Sequence, residues 1–136
     1  MLARTLSPFA DRAYAILRIV AGAMFAFHGV QKVFGVLGGQ TVTSADPQKL
    51  LGAWIELIAG TAIALGLFTR IAAFLASGQM AVAYVQFHWK LQFDANLFPA
   101  VNRGELALLY SFVFLYIACR GSGRYALESR MRKKPA

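Results

Sequence analysis

Four apolar segments constrain this chain more than any other feature, because each is close to the length that crosses a bilayer as a helix. They cover residues 14–33, 50–68, 71–89 and 104–119. A helix needs ~20 residues to cross a hydrocarbon core of ~30 Å. The chain is 58% hydrophobic and only 15% charged, whereas a soluble domain carries about 25% charged residues. The sequence therefore predicts an all-α membrane protein: four transmembrane helices in an antiparallel bundle, forming one domain over residues 1–136.

The distribution of basic residues predicts the orientation of these helices. The net charge of +8 could indicate nucleic-acid binding, but threading four spans separates the basic residues into two unequal groups. The larger group is Arg4, Arg12, Arg18, Arg70, Arg120, Arg124, Arg130, Arg132, Lys133 and Lys134. The smaller group is Lys32, Lys49, Lys90 and Arg103. The positive-inside rule then places both termini in the cytoplasm. It makes residues 120–136 a basic cytoplasmic tail that contacts anionic lipid, and we expect no nucleic-acid partner.

Local signals predict the ends of the second apolar segment and the state of the single cysteine. Asp46 before Pro47 is typical of a helix N-cap followed by a first-turn proline. Gly66 predicts a tight turn that makes the second and third segments an antiparallel hairpin. Cys119 has no second cysteine to pair with, which excludes an internal disulfide and dithiol chemistry. We expect it to be a buried structural thiol.

Ionisable residues at membrane depth are costly and need a physical reason. His28 and Lys32 lie near the outer end of the first segment, and Glu56 lies about two turns below the outer surface in the second. His88 ends the third segment, and Glu105 begins the fourth. These five residues from four helices are predicted to meet in the outer half of the bundle, as a shared polar site.

Three of these residues, and Arg18 at the other end, also have simpler interpretations. Lys32 can extend to the headgroups, and His88 can be an interfacial residue beside Trp89. Glu105 can complete a capping box with Asn102 as N-cap. Arg18, near the inner end, is expected to extend to the inner phosphates.

His28 and Glu56 are harder to explain without a function. A buried carboxylate is either protonated or paired with a cation, and His28 and Lys32 are the nearest candidates along the fold. The glycines around Glu56, Gly52 and Gly60, are typical of close helix packing.

Three stretches of the chain carry most of its distinctive residues: RIVAGAMFAFHGVQKVFG, GAWIELIAGTAIALGLFTRIAA and FPAVNRGELALLYSFVFLYIACRGSGRYALE. These stretches resemble the DoxX family of small bacterial membrane proteins. The sequence departs from the family at Arg103, where a small residue, often glycine, is usual, and at Glu128, where related chains often have Leu-Asp. The resemblance implies a four-helix protein of the bacterial inner membrane.

The same resemblance implies a link to redox chemistry. Relatives look like subunits of a thiosulfate:quinone oxidoreductase, or like membrane partners of sulfur-transfer and antioxidant proteins; more distant relatives look like assembly or trafficking factors. This chain has no haem or dinucleotide motif and no pair of redox cysteines. Electron transfer would therefore require a bound quinone, a partner redox subunit or a metal; a homo-oligomer is also compatible with the sequence.

Three functional hypotheses follow. In the first, the chain is an oxidoreductase subunit whose outer polar site binds a quinone. His28 would donate a hydrogen bond to it, Glu56 would relay a proton, and Lys32 would stabilise negative charge. His88 and Glu105 would complete the cofactor-binding set. In the second hypothesis the chain is a non-enzymatic assembly or interaction protein. In the third, His28, Glu56, His88 and Glu105 hold a metal, although no dedicated metal-binding spacing is present.

Overall fold

Four principal helices form the structure, a computed structural model that describes residues 2–131. They are α1 (Ala10–Phe34), α2 (Pro47–Leu65), α3 (Thr69–Ala83) and α4 (Glu105–Arg120). A π-helical segment, Tyr84–Trp89, extends α3. Shorter helices cover Leu2–Leu6, Ser7–Phe9, Ala95–Leu97, Pro99–Asn102 and Leu127–Met131. The predicted all-α class is confirmed.

The four helices pack as two close antiparallel pairs. In the first pair, a Cβ added at Gly22 of α1 would lie 2.6 Å from the backbone nitrogen of Ala64, and one at Gly60 of α2 would lie 2.5 Å from that of Ala26. Such separations leave no room for a side chain, so these glycines allow the backbones of α1 and α2 to touch. In the second pair, the Ser77 hydroxyl of α3 donates to the carbonyl of Ser111 in α4 at 2.7 Å.

An aromatic cluster joins the two pairs through the core. The Phe25 ring of α1 lies 4.8 Å from the Phe114 ring and 5.8 Å from the Tyr110 ring, both of α4. Ile63 and Ile117 are fully buried beside it. The side chains of α1 and α4 therefore meet in the centre of the bundle.

Within residues 2–131, two helical stretches are apolar and long enough to cross a membrane, Arg4–Phe34 and Pro47–Leu65. The helix α4 is shorter, at 16 residues, and α3 has 15 before its π-helical extension. Four spans and their orientation in the membrane stay predictions. The expected basic tail lies partly outside the described residues, which end with the short helix Leu127–Met131.

Both predicted ends of α2 are confirmed. The Asp46 carboxylate accepts a hydrogen bond from the backbone nitrogen of Lys49 at 3.1 Å, as an N-cap does. Gly66 follows the last turn with φ +72°, in the left-handed region that favours glycine. The expectation of a buried Cys119 is wrong, since this thiol lies on the exposed face of α4.

Arginine side chains close one end of the bundle, which we call the arginine end and define by Arg18 and Arg70. Arg18 is 0% exposed, so the expectation that it extends to lipid phosphates is wrong. Its Nη1 donates to the carbonyls of Ile63 and Ala64 at 2.5 and 2.8 Å. Its Nη2 donates to the carbonyls of Arg124 and Tyr125 at 3.5 and 3.2 Å. The free carbonyls at the end of α2 attract the cation inward.

Arg70 donates hydrogen bonds to the backbone carbonyls at the end of α4, as Arg18 does at the end of α2. Its guanidinium donates to the carbonyls of Ala118, Cys119 and Arg120 at 2.9, 2.5 and 3.3 Å. Nearby, the buried Tyr14 hydroxyl donates to the carbonyl of Gly121. The arginine end thus satisfies backbone groups that the helix ends would leave open.

Candidate functional site

A cavity of about 780 Å³ lies between the two helix pairs, away from the arginine end. We call this part of the molecule the cavity end. Its lining combines many apolar side chains with a few polar ones. The polar or charged lining residues are His28, Lys32, Gln48, Lys49, Glu56, Gln79, His88, Arg103 and Tyr110. This combination is typical of sites for small organic ligands.

Glu56 is the buried centre of the polar lining. Its side chain is 3% exposed, and its Oε1 lies 2.6 Å from Nζ of Lys32, whose side chain is 43% exposed. The Nε2 of Gln79 donates to the same Oε1 and to the Gly52 carbonyl, both at 3.1 Å. Three helices therefore converge on one carboxylate oxygen, and the ion pair has one buried and one partly exposed member.

Several buried oxygens around the cavity have no hydrogen-bond partner among the described residues. They are Oε2 of Glu56, Oε1 of Gln79 and the hydroxyl of Tyr110. Buried polar groups normally find partners, and leaving one without a partner is costly. Each of these groups could form a hydrogen bond with a ligand or an ordered water that reaches it.

The two histidines line the same cavity from different helices. His28 belongs to α1 and is half-buried. His88 belongs to the π-helical segment, and its Nδ1 lies 3.2 Å from the carbonyl of Asn102. A carbonyl only accepts, so Nδ1 carries a proton in this contact. The predicted grouping of His28, Lys32, Glu56 and His88 around one space is therefore seen, although the direct partners of Glu56 are Lys32 and Gln79.

Glu105 is the predicted site residue that the structure places elsewhere. It is exposed at the start of α4 and does not line the cavity. The alternative interpretation of Glu105, a capping box with Asn102 as N-cap, is wrong as well. The N-cap of α4 is Gly104, with no side-chain cap bond. Asn102 ends the preceding short helix, where its buried Oδ1 accepts from the Gly104 nitrogen at 2.7 Å.

The proposed metal ligands do not form a centre in the part of the chain that the structure describes. Within residues 2–131, no group of three or more His, Cys, Asp or Glu residues could hold a metal ion. The outward position of Glu105 contributes to this result, because it removes one of the four candidate ligands.

Sequence reasoning missed Gln79 and Tyr110. Gln79 was detectable, because an amide within an apolar segment must find hydrogen-bond partners in the bundle. Tyr110 gave a weaker signal, since tyrosine is common at membrane interfaces and its depth in α4 depends on where that helix begins.

Comparison with known proteins places the chain in a family. The family model described as DoxX matches residues 13–89, which include α2, α3, all but the first three residues of α1 and most of the cavity lining. A protein of Haemophilus influenzae, described as uncharacterized, is 43% identical over 125 residues, covering 88% of this chain and 91% of the relative. No solved structure matches the chain.

Proposed function

Because the chain belongs to the DoxX family of membrane proteins, we propose that its four helices span the inner membrane and that the cavity binds a quinone. The observation that carries this proposal is the group of unpartnered buried oxygens beside a large apolar space. The protein would act as the quinone-interacting subunit of an oxidoreductase.

The four-helix span rests on helix length and on charge. At 1.5 Å per residue, the 25 residues of α1 and the 19 of α2 extend about 37 and 28 Å. The π-helical segment Tyr84–Trp89 lengthens α3 towards the same depth. The arginine end would face the cytoplasm, because most of the basic residues that the structure describes lie on that side.

The hydrogen-bonding groups of the cavity fit both forms of a quinone. The ring carbonyls of the oxidised form only accept, and the Tyr110 hydroxyl is a donor that finds no acceptor among the described residues. The hydroxyls of the reduced form donate, and Oε2 of Glu56 and Oε1 of Gln79 are acceptors that find no donor in the same part of the chain. The apolar part of the lining would accommodate the ring and the start of its tail.

Each polar residue then has a distinct role around the ligand. A bound quinone supplies two-electron chemistry coupled to proton uptake. Glu56 holds or releases a proton at Oε2, while Lys32 and Gln79 fix its other oxygen. His28 and His88 hydrogen-bond from α1 and from the π-helical segment and can exchange protons. Lys32 is partly exposed, so it connects this network to the aqueous boundary.

The electrons would come from a partner. The sequence contains no haem or dinucleotide motif and only one cysteine, so this chain would bind the quinone while a separate redox subunit supplies electrons. The exposed segment between α3 and α4, with Phe93 and Phe98 on its surface, lies at the cavity end and is available for such a contact.

The direct test is the organic extract of the protein purified in a mild detergent. We expect bound quinone in the wild type and much less in Glu56→Gln, which keeps the shape but removes the carboxylate. Glu128→Gln, on the short terminal helix, is the charge-matched control and should retain wild-type quinone. Equal quinone in all three proteins would contradict a role for Glu56, and no quinone in any of them, even after quinone is added, would refute the proposal.

A second test separates proton exchange from hydrogen bonding at His28. His28→Gln retains a hydrogen-bonding side chain but cannot take up a proton. We expect it to fold and bind quinone while losing quinone-linked turnover with the electron donor. Full turnover across pH 5–8 would show that His28 is not a proton-transfer group.

A further inference from the structure

Gly78 of α3 is a helix glycine that no neighbouring atom requires. Cβ atoms added at Gly22, Gly29 and Gly60 would collide with the backbone of a facing helix. A Cβ at Gly78, within α3, would meet nothing within 4 Å. Glycine disfavours a helix relative to alanine, so a glycine that no neighbour requires points to a need for empty space.

The open space beside Gly78 belongs to the cavity. Gly78 lines the cavity and precedes Gln79, whose amide joins Glu56. The adjacent lining residues Leu51 of α2, and Leu75 and Val82 of α3, are 62%, 52% and 48% exposed. The cavity therefore reaches the side of the bundle between α2 and α3, through a rim of apolar side chains. In a bilayer this rim would face hydrocarbon.

We propose that this opening, the Gly78 portal defined by Leu51, Leu75, Gly78 and Val82, admits the ligand from the bilayer and holds its apolar chain. The occupant is an amphiphile with a long hydrocarbon or isoprenoid tail, with its polar ring on Glu56 and its tail passing between α2 and α3. This inference rests on the proposed quinone site. It adds that the tail contributes to recognition and that access is lateral.

The opposite route is chemically unsuited to a tail. At the end of the cavity nearest the membrane surface, Lys49 and Arg103 line the wall, and both are exposed. A hydrocarbon chain leaving there would pass cationic groups and enter water, with loss of its hydrophobic stabilisation. The lateral route keeps every methylene among apolar side chains or lipid.

The portal is tested by filling it. Gly78→Leu introduces a branched side chain into open space, so the variant should fold. Ala81→Leu places the same side chain on an exposed position of α3 that does not line the cavity, and it is the matched control. Binding is measured in lipid nanodiscs with two probes, a benzoquinone carrying a ten-carbon tail and the same ring without a tail.

We expect Gly78→Leu to weaken binding of the tailed probe by at least about tenfold. A loss of this size is about 1.4 kcal/mol, and it would come from steric overlap between the leucine side chain and the tail, because methylene groups that leave the portal remain in lipid. Binding of the tail-less ring should change less than twofold, and Ala81→Leu should behave as wild type with both probes.

The outcomes distinguish a failure of the portal proposal from a failure of the proposed quinone site. If wild type binds both probes and Gly78→Leu binds the tailed probe normally, or Ala81→Leu weakens it equally, the portal is refuted while the quinone site stands. If wild type binds neither probe, the proposed function is refuted and the portal with it.

Discussion

The two ends of the bundle treat a buried charge in different ways. At the arginine end, Arg18 is completely buried, and its two terminal nitrogens donate to four backbone carbonyls, while its Nε has no partner among the described residues. At the cavity end, Glu56 is almost as buried, but only Oε1 is hydrogen-bonded, while Oε2 has no partner in residues 2–131. The arginine sits among carbonyls that need donors, and the glutamate sits beside an open volume.

The difference shows how to distinguish a structural charge from a functional one. A charge that satisfies the helix ends around it stabilises the fold, and removing it exposes several orphaned groups. A charge that is left half-satisfied beside a cavity costs folding stability and is available to a ligand. The comparison therefore predicts large stability losses at the arginine end and small ones at the cavity end, with the reverse order for ligand binding.

The largest effect is expected from Arg18→Gln. Gln cannot reach all four carbonyls, so the variant should lose about 3 kcal/mol or more of unfolding free energy, or fail to accumulate. Arg12→Gln, at an exposed position on the same helix, is the control and should change stability by less than about 0.5 kcal/mol. Denaturant unfolding in mixed micelles measures both. Equal losses in the two variants would show that the carbonyl contacts of Arg18 do not support the fold.

A smaller stability difference is expected between variants of two buried tyrosines, Tyr14 and Tyr110. Tyr14 donates to the Gly121 carbonyl at the arginine end, whereas the Tyr110 hydroxyl at the cavity end has no partner in the described chain. Tyr14→Phe should lose about 1 kcal/mol. Tyr110→Phe should be neutral or slightly stabilising without ligand, because it removes an unsatisfied buried hydroxyl. The same denaturant unfolding assay measures both variants. A larger loss of unfolding free energy in Tyr110→Phe than in Tyr14→Phe would contradict the proposed difference between the two ends.

The smallest stability effect is expected for the exposed ion pair of Asp46 and Lys49 at the cavity end. Hydrogen bonds from the Lys49 side chain and backbone hold the pKa of Asp46 below its ordinary value of 3.8. A lowered folded-state pKa means that Asp46 stabilises the fold above the unfolded value and that this contribution disappears as pH falls through the folded one. Wild type should therefore lose its small advantage over Asp46→Asn below about pH 4, as measured by thermal unfolding from pH 7 to pH 3. A difference independent of pH would show that the ion pair contributes nothing.

Much of the fold followed from the sequence, because helix length, apolar content and end signals are local. Asp46 and Gly66 mark the ends of α2 as predicted. Grouping His28, Lys32, Glu56 and His88 was also possible, since their depths follow from segment order.

The errors share one cause, which is that partners depend on three-dimensional contacts. Arg18 was expected to reach lipid, but the last turn of α2 and the segment after α4 present backbone carbonyls to its guanidinium. Glu105 was expected to turn inward, but a short helix before α4 uses Asn102 and leaves the glutamate outside. Gln79 was missed, because its importance depends on the approach of α3 to Glu56.

The most direct test of the contrast between the two ends is the stabilisation that a tailed benzoquinone gives to three proteins. Ligand binding raises unfolding free energy by an amount set by affinity, so baseline stability and binding are read in one thermal unfolding series. Arg70→Gln loses carbonyl contacts at the arginine end and should melt lower without ligand, yet gain as much from quinone as the wild type. Glu56→Gln should melt close to wild type without ligand and gain little or nothing from quinone. A full quinone gain in Glu56→Gln, or its loss in Arg70→Gln, would contradict the assignment of structure to one end and ligand binding to the other.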